Sequence, residues 1–236
     1  MDYKEYFKKR KLLTDGKGNT KTAKNSLSTY YLSLQPTNLN SMKVNLCKFS
    51  TKECRTQCLQ YAGRQSFSNV VLSRERKTEY FVKNNKEFIE QLWGELEKLN
   101  DNKVAIRLNL LSDLDWDLEF NKYGKDISTL KNIQFYDYTK DHKKAMLNSV
   151  KNYHLTLSFS GHNWEHCEKL LTSKKANVAV VFKGQLPTNY KGFKVVDGDK
   201  SDERFLDKKG VIVGLKYKKA KGVPYVPNKF VIDESI

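Results

Sequence analysis

Two rhythms of apolar and polar positions alternate along this chain. Extended apolar runs at residues 30–35 (YYLSLQ), 104–110 (VAIRLNL), 133–138 (IQFYDY), 153–159 (YHLTLSF) and 178–182 (VAVVF) have the length and the β-branched or aromatic content of strands. Between them the period changes to that of a helix. Residues 52–82 read as two helical pieces punctuated at Ser68 and Thr78, and residues 86–99 set Phe88, Ile89, Leu92, Trp93, Leu96 and Leu99 on one face. A carboxylate-rich turn and a short helix follow the 104–110 run, and helical patterns occupy 141–149 and 164–171. Runs at 193–196 and 211–216 complete the series. Strand followed by helix, repeated four or five times, predicts an α/β fold with a mostly parallel sheet. We expect a partial or irregular (β/α) barrel-like arrangement, with a doubly wound open sheet as the alternative that periodicity does not separate from it. In both, functional groups collect beyond the C-terminal ends of the strands.

The chain shows no internal repeat and no Pro/Ser-rich linker, which predicts a single α/β domain over residues 26–236 behind a basic, flexible segment over 1–25. Charge adds a class of partner. The 236 residues carry 43 Lys and Arg against 27 Asp and Glu, a formal net charge of +16, with the excess before residue 100 and after 160. Such an excess draws polyanions in a salt-dependent way, so nucleic acid is the leading expected partner, with an acidic host protein as the competitor. No apolar run approaches the roughly 20 residues of a membrane helix, and no apolar stretch backs the basic N-terminus as in a secretory signal. A soluble protein of the host cytoplasm is therefore expected, its oligomeric state open. Four cysteines, three of them clustered, fit a reducing compartment better than a disulfide framework.

That cluster is the strongest chemical motif. Cys47-x6-Cys54-x3-Cys58 places three thiols within a dozen residues, Cys54 and Cys58 at the spacing of one helix face, with Lys48, Lys52 and Arg55 near enough to favour thiolates. Three such thiolates suit zinc or an iron–sulfur cluster, leaving a position for water, substrate or a fourth ligand from His162, His166 or Cys167. The turn SDLDWDLE carries Asp113, Asp115, Asp117 and Glu119 just past a strand; Asp113 is the candidate for cation or ligand contact, while Asp115 and Asp117 equally suit the first turn of a helix with Asp113 or Ser112 as its cap. Arg107 near the end of its strand and Asp137 at the end of the next complete a set of candidate catalytic groups on one expected edge, where Ser158 to Ser160 also fall. Other motifs fail on inspection. DGDKSDERFLD has Asp202 where a calcium loop needs glycine and Lys208 where it needs glutamate, leaving Arg204 and Asp207 as ion-pair or site members. GKGNTKT has Thr20 where a phosphate loop needs glycine, although its lysines and hydroxyls suit phosphates. Tyr30, Tyr31, Tyr136 and Tyr138 with Lys140 and Arg107 have the composition of a single-strand stacking surface, but aromatics in strands are more often core.

The succession NTKTAKNSLSTYYLSLQP, NLCKFSTKECRTQCLQYAGR, RKTEYF, RLNLLSDLDW, FYDYTK, YHLTLSFSG, NVAVVF and VVDGDKSDERFLDKKGVIVGLKYK resembles the phage gene-product-88-like family, in the same order over about residues 19 to 217. The matching motif positions are Cys47, Cys54, Cys58, Gly63, Arg64, Lys77, Arg107, Asn109, Asp113, Trp116, Asp137, Lys140, Asp197, Asp199, Arg204 and Asp207. The resemblance implies a phage or prophage origin and assigns no catalytic role. A weaker architectural likeness, to radical S-adenosylmethionine barrels, rests on three cysteines after a first strand. The cysteine spacing differs from that group's C-x3-C-x2-C, and Leu110-Leu111 stands where a glycine-rich cofactor turn would be. The expectation is a phage-encoded, nucleic-acid-associated protein with a three-cysteine metal site, with any action on nucleic acid left open. Its competitors are a non-catalytic nucleic-acid-binding module and a host-directed counter-defence factor.

Overall fold

The computed structural model describes residues 2–19, 21–219, 222 and 224–233. Thr20, in the loop weighed against a phosphate site, lies outside these. The elements are α1 (Tyr3–Phe7), β1 (Thr14–Asp15), β2 (Ser28–Tyr31), α2 (Lys52–Thr56), α3 (Ser68–Lys83), α4 (Asn85–Leu99), β3 (Val104–Arg107), α5 (Trp116–Asn121), β4 (Ile133–Thr139), α6 (His142–Leu147), β5 (Tyr153–Ser158), α7 (Trp164–Thr172), β6 (Val178–Lys183), β7 (Asn189–Tyr190), β8 (Phe193–Asp197), β9 (Ile212–Lys216) and β10 (Val231–Asp233). The strands pair in the order β1-β2-β3-β4-β5-β6-β9-β8-β7, with β10 also on β6. Only β1 on β2 and β7 on β8 are antiparallel among the pairings whose register is known. From β2 to β6 consecutive strands are neighbours, the order of a partial (β/α) barrel. The path nevertheless ends at β1 and β7, so the sheet does not close.

Backbone contacts divide the chain into two compact units: one of residues up to Lys48 with Phe67–Asp137 and Val150–Tyr153, the other of Phe49–Ser66, Tyr138–Ser149 and the residues from His154 onward. In the first unit α4 buries Phe88, Ile89, Leu92, Trp93 and Leu96 of the stripe its spacing predicts, while Leu99 at its end is half-buried. Each such aliphatic side chain contributes about 2 kcal/mol by leaving water. Edge-to-face rings link Phe81 to Phe88 and Trp116, and Trp93 to Phe120, between centroids 5.3 to 5.8 Å apart. The expected break at Thr78 is absent: α3 continues to Lys83, and the Thr78 hydroxyl donates to Arg74 O (2.9 Å) while accepting from Gln35 N (2.8 Å). A residue read as punctuation thus anchors the loop after β2. Residues 2–15, expected to be flexible, form α1 and β1 and bury Tyr3, Phe7, Leu12 and Leu13. Thr22, in the loosely phosphate-like loop, is buried and gives its hydroxyl to Gly16 O at 2.5 Å.

The second unit has a core of Leu157, Phe159, Cys167, Leu170, Leu171, Val178, Val180, Phe182 and Ile212. Here α7 buries Cys167, Leu170 and Leu171, and β9 lies parallel between β6 and β8, with Ala179 opposite Val213 and Val195 opposite Ile212. Gly198 must be glycine because a Cβ there would lie 2.4 Å from Val213 Cγ1 and 3.0 Å from Arg204 Nη1.

Candidate functional site

Because β3 and β4 are parallel, with Ile106 opposite Phe135, the residues that follow each strand's core positions reach the same C-terminal edge. There Asn109 and Asp137, 2% and 1% exposed, form a buried polar centre. Asp137 Oδ1 accepts from Asn109 N (2.7 Å), and Oδ2 accepts from Tyr153 OH (2.6 Å) and from Asn109 Nδ2 (3.4 Å). Asn109 Oδ1 accepts from Ser112 Oγ (3.0 Å), Leu114 N (2.9 Å) and Trp116 Nε1 (3.0 Å), while Nδ2 donates to Leu114 O (2.9 Å). Three donors converging on one oxygen fix the amide's orientation and wind the 109–116 turn around a single side chain. Burial first, and the Asp137 carboxylate second, push the Tyr153 phenol well above its ordinary range, so it stays a neutral donor.

The candidate polar residues divide by accessibility around this centre. Arg107 ends β3, half-buried, with Nη2 donating weakly to Leu110 O at 3.4 Å. Asp113 is half-buried, and its backbone N donates to Leu46 O (2.7 Å), tying the turn to the segment just before Cys47. Asp115, not Asp113 or Ser112, caps α5 by accepting from Leu118 N, and Asp117 and Glu119 occupy its first turn. Asp137 is enclosed, and its oxygens face protein donors. Asn109 and Tyr153 were not among the candidate site residues; Asn109 was marked only as a family-motif position and as a polar side chain at a strand end two residues after Arg107.

Cys47 and Cys54 are buried and Cys58 is half-exposed; no disulfide involves any of the four cysteines. The Thr51 hydroxyl caps α2 by accepting from Cys54 N (3.2 Å). The expectation that Cys54 and Cys58 share a helix face is corrected, because α2 ends at Thr56 and Cys58 has extended backbone. Its end is set by Gln57, which leaves the helical region and, buried, accepts from Tyr217 OH at 2.5 Å. Among the described residues no group of three or more His, Cys, Asp or Glu side chains is arranged to hold a metal ion. The fourth-ligand candidates also go separate ways. His162 precedes α7 and approaches Glu53 Oε1 (3.6 Å), while the His166 ring stacks on His142 at 3.6 Å and an angle of 2°. Cys167 is core, its thiol pushed up to about 12 by burial.

Arg204, expected to pair or to serve a site, is buried: Nη2 donates to Ser201 O (2.7 Å) and Nη1 lies 3.2 Å from Asp207 Oδ2. Burial, then the charges of Arg204 and Lys209, hold the nearby His154 imidazole down at about 4.

An open, mostly parallel α/β sheet with a buried Asn–Asp–Tyr centre at its C-terminal edge defines the class of protein. Within that class the chain belongs to the gene product 88 family, whose model matches residues 7–226. That membership supports a phage origin. No curated protein and no solved structure gave a match.

Proposed function

We propose that this phage protein associates with nucleic acid through its basic surface, and that the β3/β4 edge is a ligand site rather than a metal centre. The observation that carries the reading is where the +16 charge goes. Asp2, Asp15, Asp115, Asp126 and Asp141 cap helices or turns, and Asp137 and Glu95 are held by internal donors, so acidic groups are spent locally. Lys8, Lys9, Lys11, Lys143, Lys169, Lys174, Lys175, Lys208 and Lys209 are exposed, and with 43 basic against 27 acidic side chains the surface is left basic. At the edge, Arg107 and Asp113 are the groups assigned to ligand contact, and Asp137 is a positioning residue behind them.

Fluorescence anisotropy with duplex and single-stranded probes tests the reading. Affinity is expected to fall steeply with salt, each phosphate contact adding about 0.9 to the logarithmic slope on duplex and about 0.7 on single strands. Absence of binding to every probe at low salt overturns it in favour of a protein partner. Thiolate ligation of zinc or an iron–sulfur cluster by Cys47, Cys54 and Cys58 is the second reading, favoured by their spacing and the burial of two of them. Metal in anaerobically purified protein that is lost in Cys54→Ser would support it; metal-free, folded protein would end it.

A further inference from the structure

Four consecutive cations, Lys8, Lys9, Arg10 and Lys11, are exposed on a turn whose two ends are buried, Phe7 at 3% on one side and Leu12 at 0% on the other. The backbone of this turn is gripped from α3 and α4. Gln91 Nε2 donates to Phe7 O (3.1 Å) and Arg10 O (2.9 Å), and one helical turn later the Glu95 carboxylate accepts from Leu12 N (2.7 Å) and Leu13 N (2.9 Å). From α3, the buried Lys77 ammonium donates to Leu12 O at 2.6 Å. Arg10 closes the turn: its N donates to Phe7 O (3.0 Å), and its guanidinium lies 4.1 Å from the Tyr6 ring centre while donating to Tyr6 O (2.8 Å). Arg76 of α3 approaches the same ring at 4.8 Å and donates to Tyr6 OH (2.6 Å), bringing a fifth cation into the patch. Besides Glu95, which holds the turn's backbone, the acidic groups near the turn are Asp2, engaged at the start of α1, and Glu5, which makes an exposed pair with Lys8 at 3.5 Å.

Holding like charges together opposes folding, and so does burying Lys77 to hold them. A tract kept only for solubility needs no such clamp and would cost less as a loose tail. What the clamp supplies is pre-organisation, which removes the ordering cost from binding a polyanion. We propose that the Lys8-Lys9-Arg10-Lys11 turn, with Arg76 beside it, is a built docking site for the phosphate backbone of nucleic acid. The proposal rests on the nucleic-acid reading above and specifies the surface that delivers it.

The experiment compares three variants with the wild type across a salt series: Lys8→Ala/Lys9→Ala/Lys11→Ala, a control with the same loss of charge at exposed sites elsewhere (Lys151→Ala/Lys194→Ala/Lys200→Ala), and Glu95→Gln. Arg10 is left in place because it helps to shape the turn. The first variant is expected to lower the salt slope on duplex DNA by about 2 to 3 and the affinity roughly tenfold or more, with the control near wild type. Glu95→Gln adds net positive charge yet loosens the turn, because Leu12 N and Leu13 N donate to different oxygens of the carboxylate and an amide would set its NH2 against one of them. It is expected to bind more weakly at unchanged lysine content, whereas a pure net-charge effect would make it bind more tightly. Thermal unfolding of each variant verifies that it is folded at the assay temperature. A wild type that binds no probe defeats the functional reading. A wild type that binds while the first variant keeps its affinity and slope, or while the control weakens equally, overturns this inference and leaves the reading intact.

Discussion

Lys77 makes an unusual prediction about alkaline stability. The residue is 5% exposed, and burial, opposed by the Glu95 charge, lowers its pKa from 10.5 to about 8. The unfolded chain therefore keeps this proton through a range in which the folded chain has released it. By linkage, stability rises with pH wherever the unfolded state binds more protons, here from about pH 8 to about 10.5. The shift between those values is worth on the order of 2 to 3 kcal/mol. A neutral amine still donates to Leu12 O, so the clamp on the N-terminal turn survives the titration. The perturbation is Lys77→Met, which removes the titrating group at similar length, and the quantity measured is wild-type minus variant unfolding free energy, from urea denaturation at pH 7 and pH 10. Taking the difference cancels the other lysines and the tyrosines, which titrate in both proteins. The difference is expected to shift toward the wild type by about 2 kcal/mol or more between the two pH values. A difference that is flat with pH would refute the account, and one that moves the other way would mean that Glu95 outweighs burial and holds the proton in place.

His154 predicts the mirror case in acid. With a folded pKa of about 4 against an ordinary 6.5, it leaves the unfolded state binding more protons below pH 6.5, so stability falls by on the order of 2 to 3 kcal/mol between pH 6.5 and 4. His154→Gln should flatten that part of the profile, and an unchanged profile would assign the acid sensitivity elsewhere. In the buried centre, Tyr153→Phe removes the 2.6 Å donor to Asp137 Oδ2 and is expected to cost about 1 to 2 kcal/mol. Asp137→Ala removes the acceptor of both Asn109 N and Tyr153 OH and is expected to cost about 3 kcal/mol or more by thermal or chemical denaturation. An Asp137→Ala protein of near-native stability that has lost its function would make Asp137 a catalytic residue rather than a positioning one.

Local patterns carried much of the architecture. The α4 stripe, the runs that became β3, β4, β5 and β6, and the strand–helix alternation were legible because each is a long segment that buries one periodic face. β1, β7 and β10, of two or three residues each, left no period to read and exist only because a neighbouring strand offers backbone partners. The strand-end placement of Arg107, Asp113 and Asp137 was also legible, since parallel connections send strand ends to one edge. Their division into half-buried and enclosed groups was not, because it depends on Asn109 gathering donors from Ser112, Leu114 and Trp116 and on Tyr153 reaching Asp137.

By composition and order alone, the sequence determined the family, the α/β class and the sign of the surface charge. Tertiary structure decided what three ambiguous segments became. The cysteine helix stops before Cys58 because buried Gln57 leaves the helical path where it meets Tyr217. Thr78 is a tether inside a helix, and the basic N-terminal tract is a clamped turn because Gln91, Glu95 and Lys77, more than 60 residues away, satisfy its backbone. Periodicity reports which face of a segment avoids water, whereas hydrogen-bond partners distant in sequence are chosen only when packing has brought them within about 3 Å.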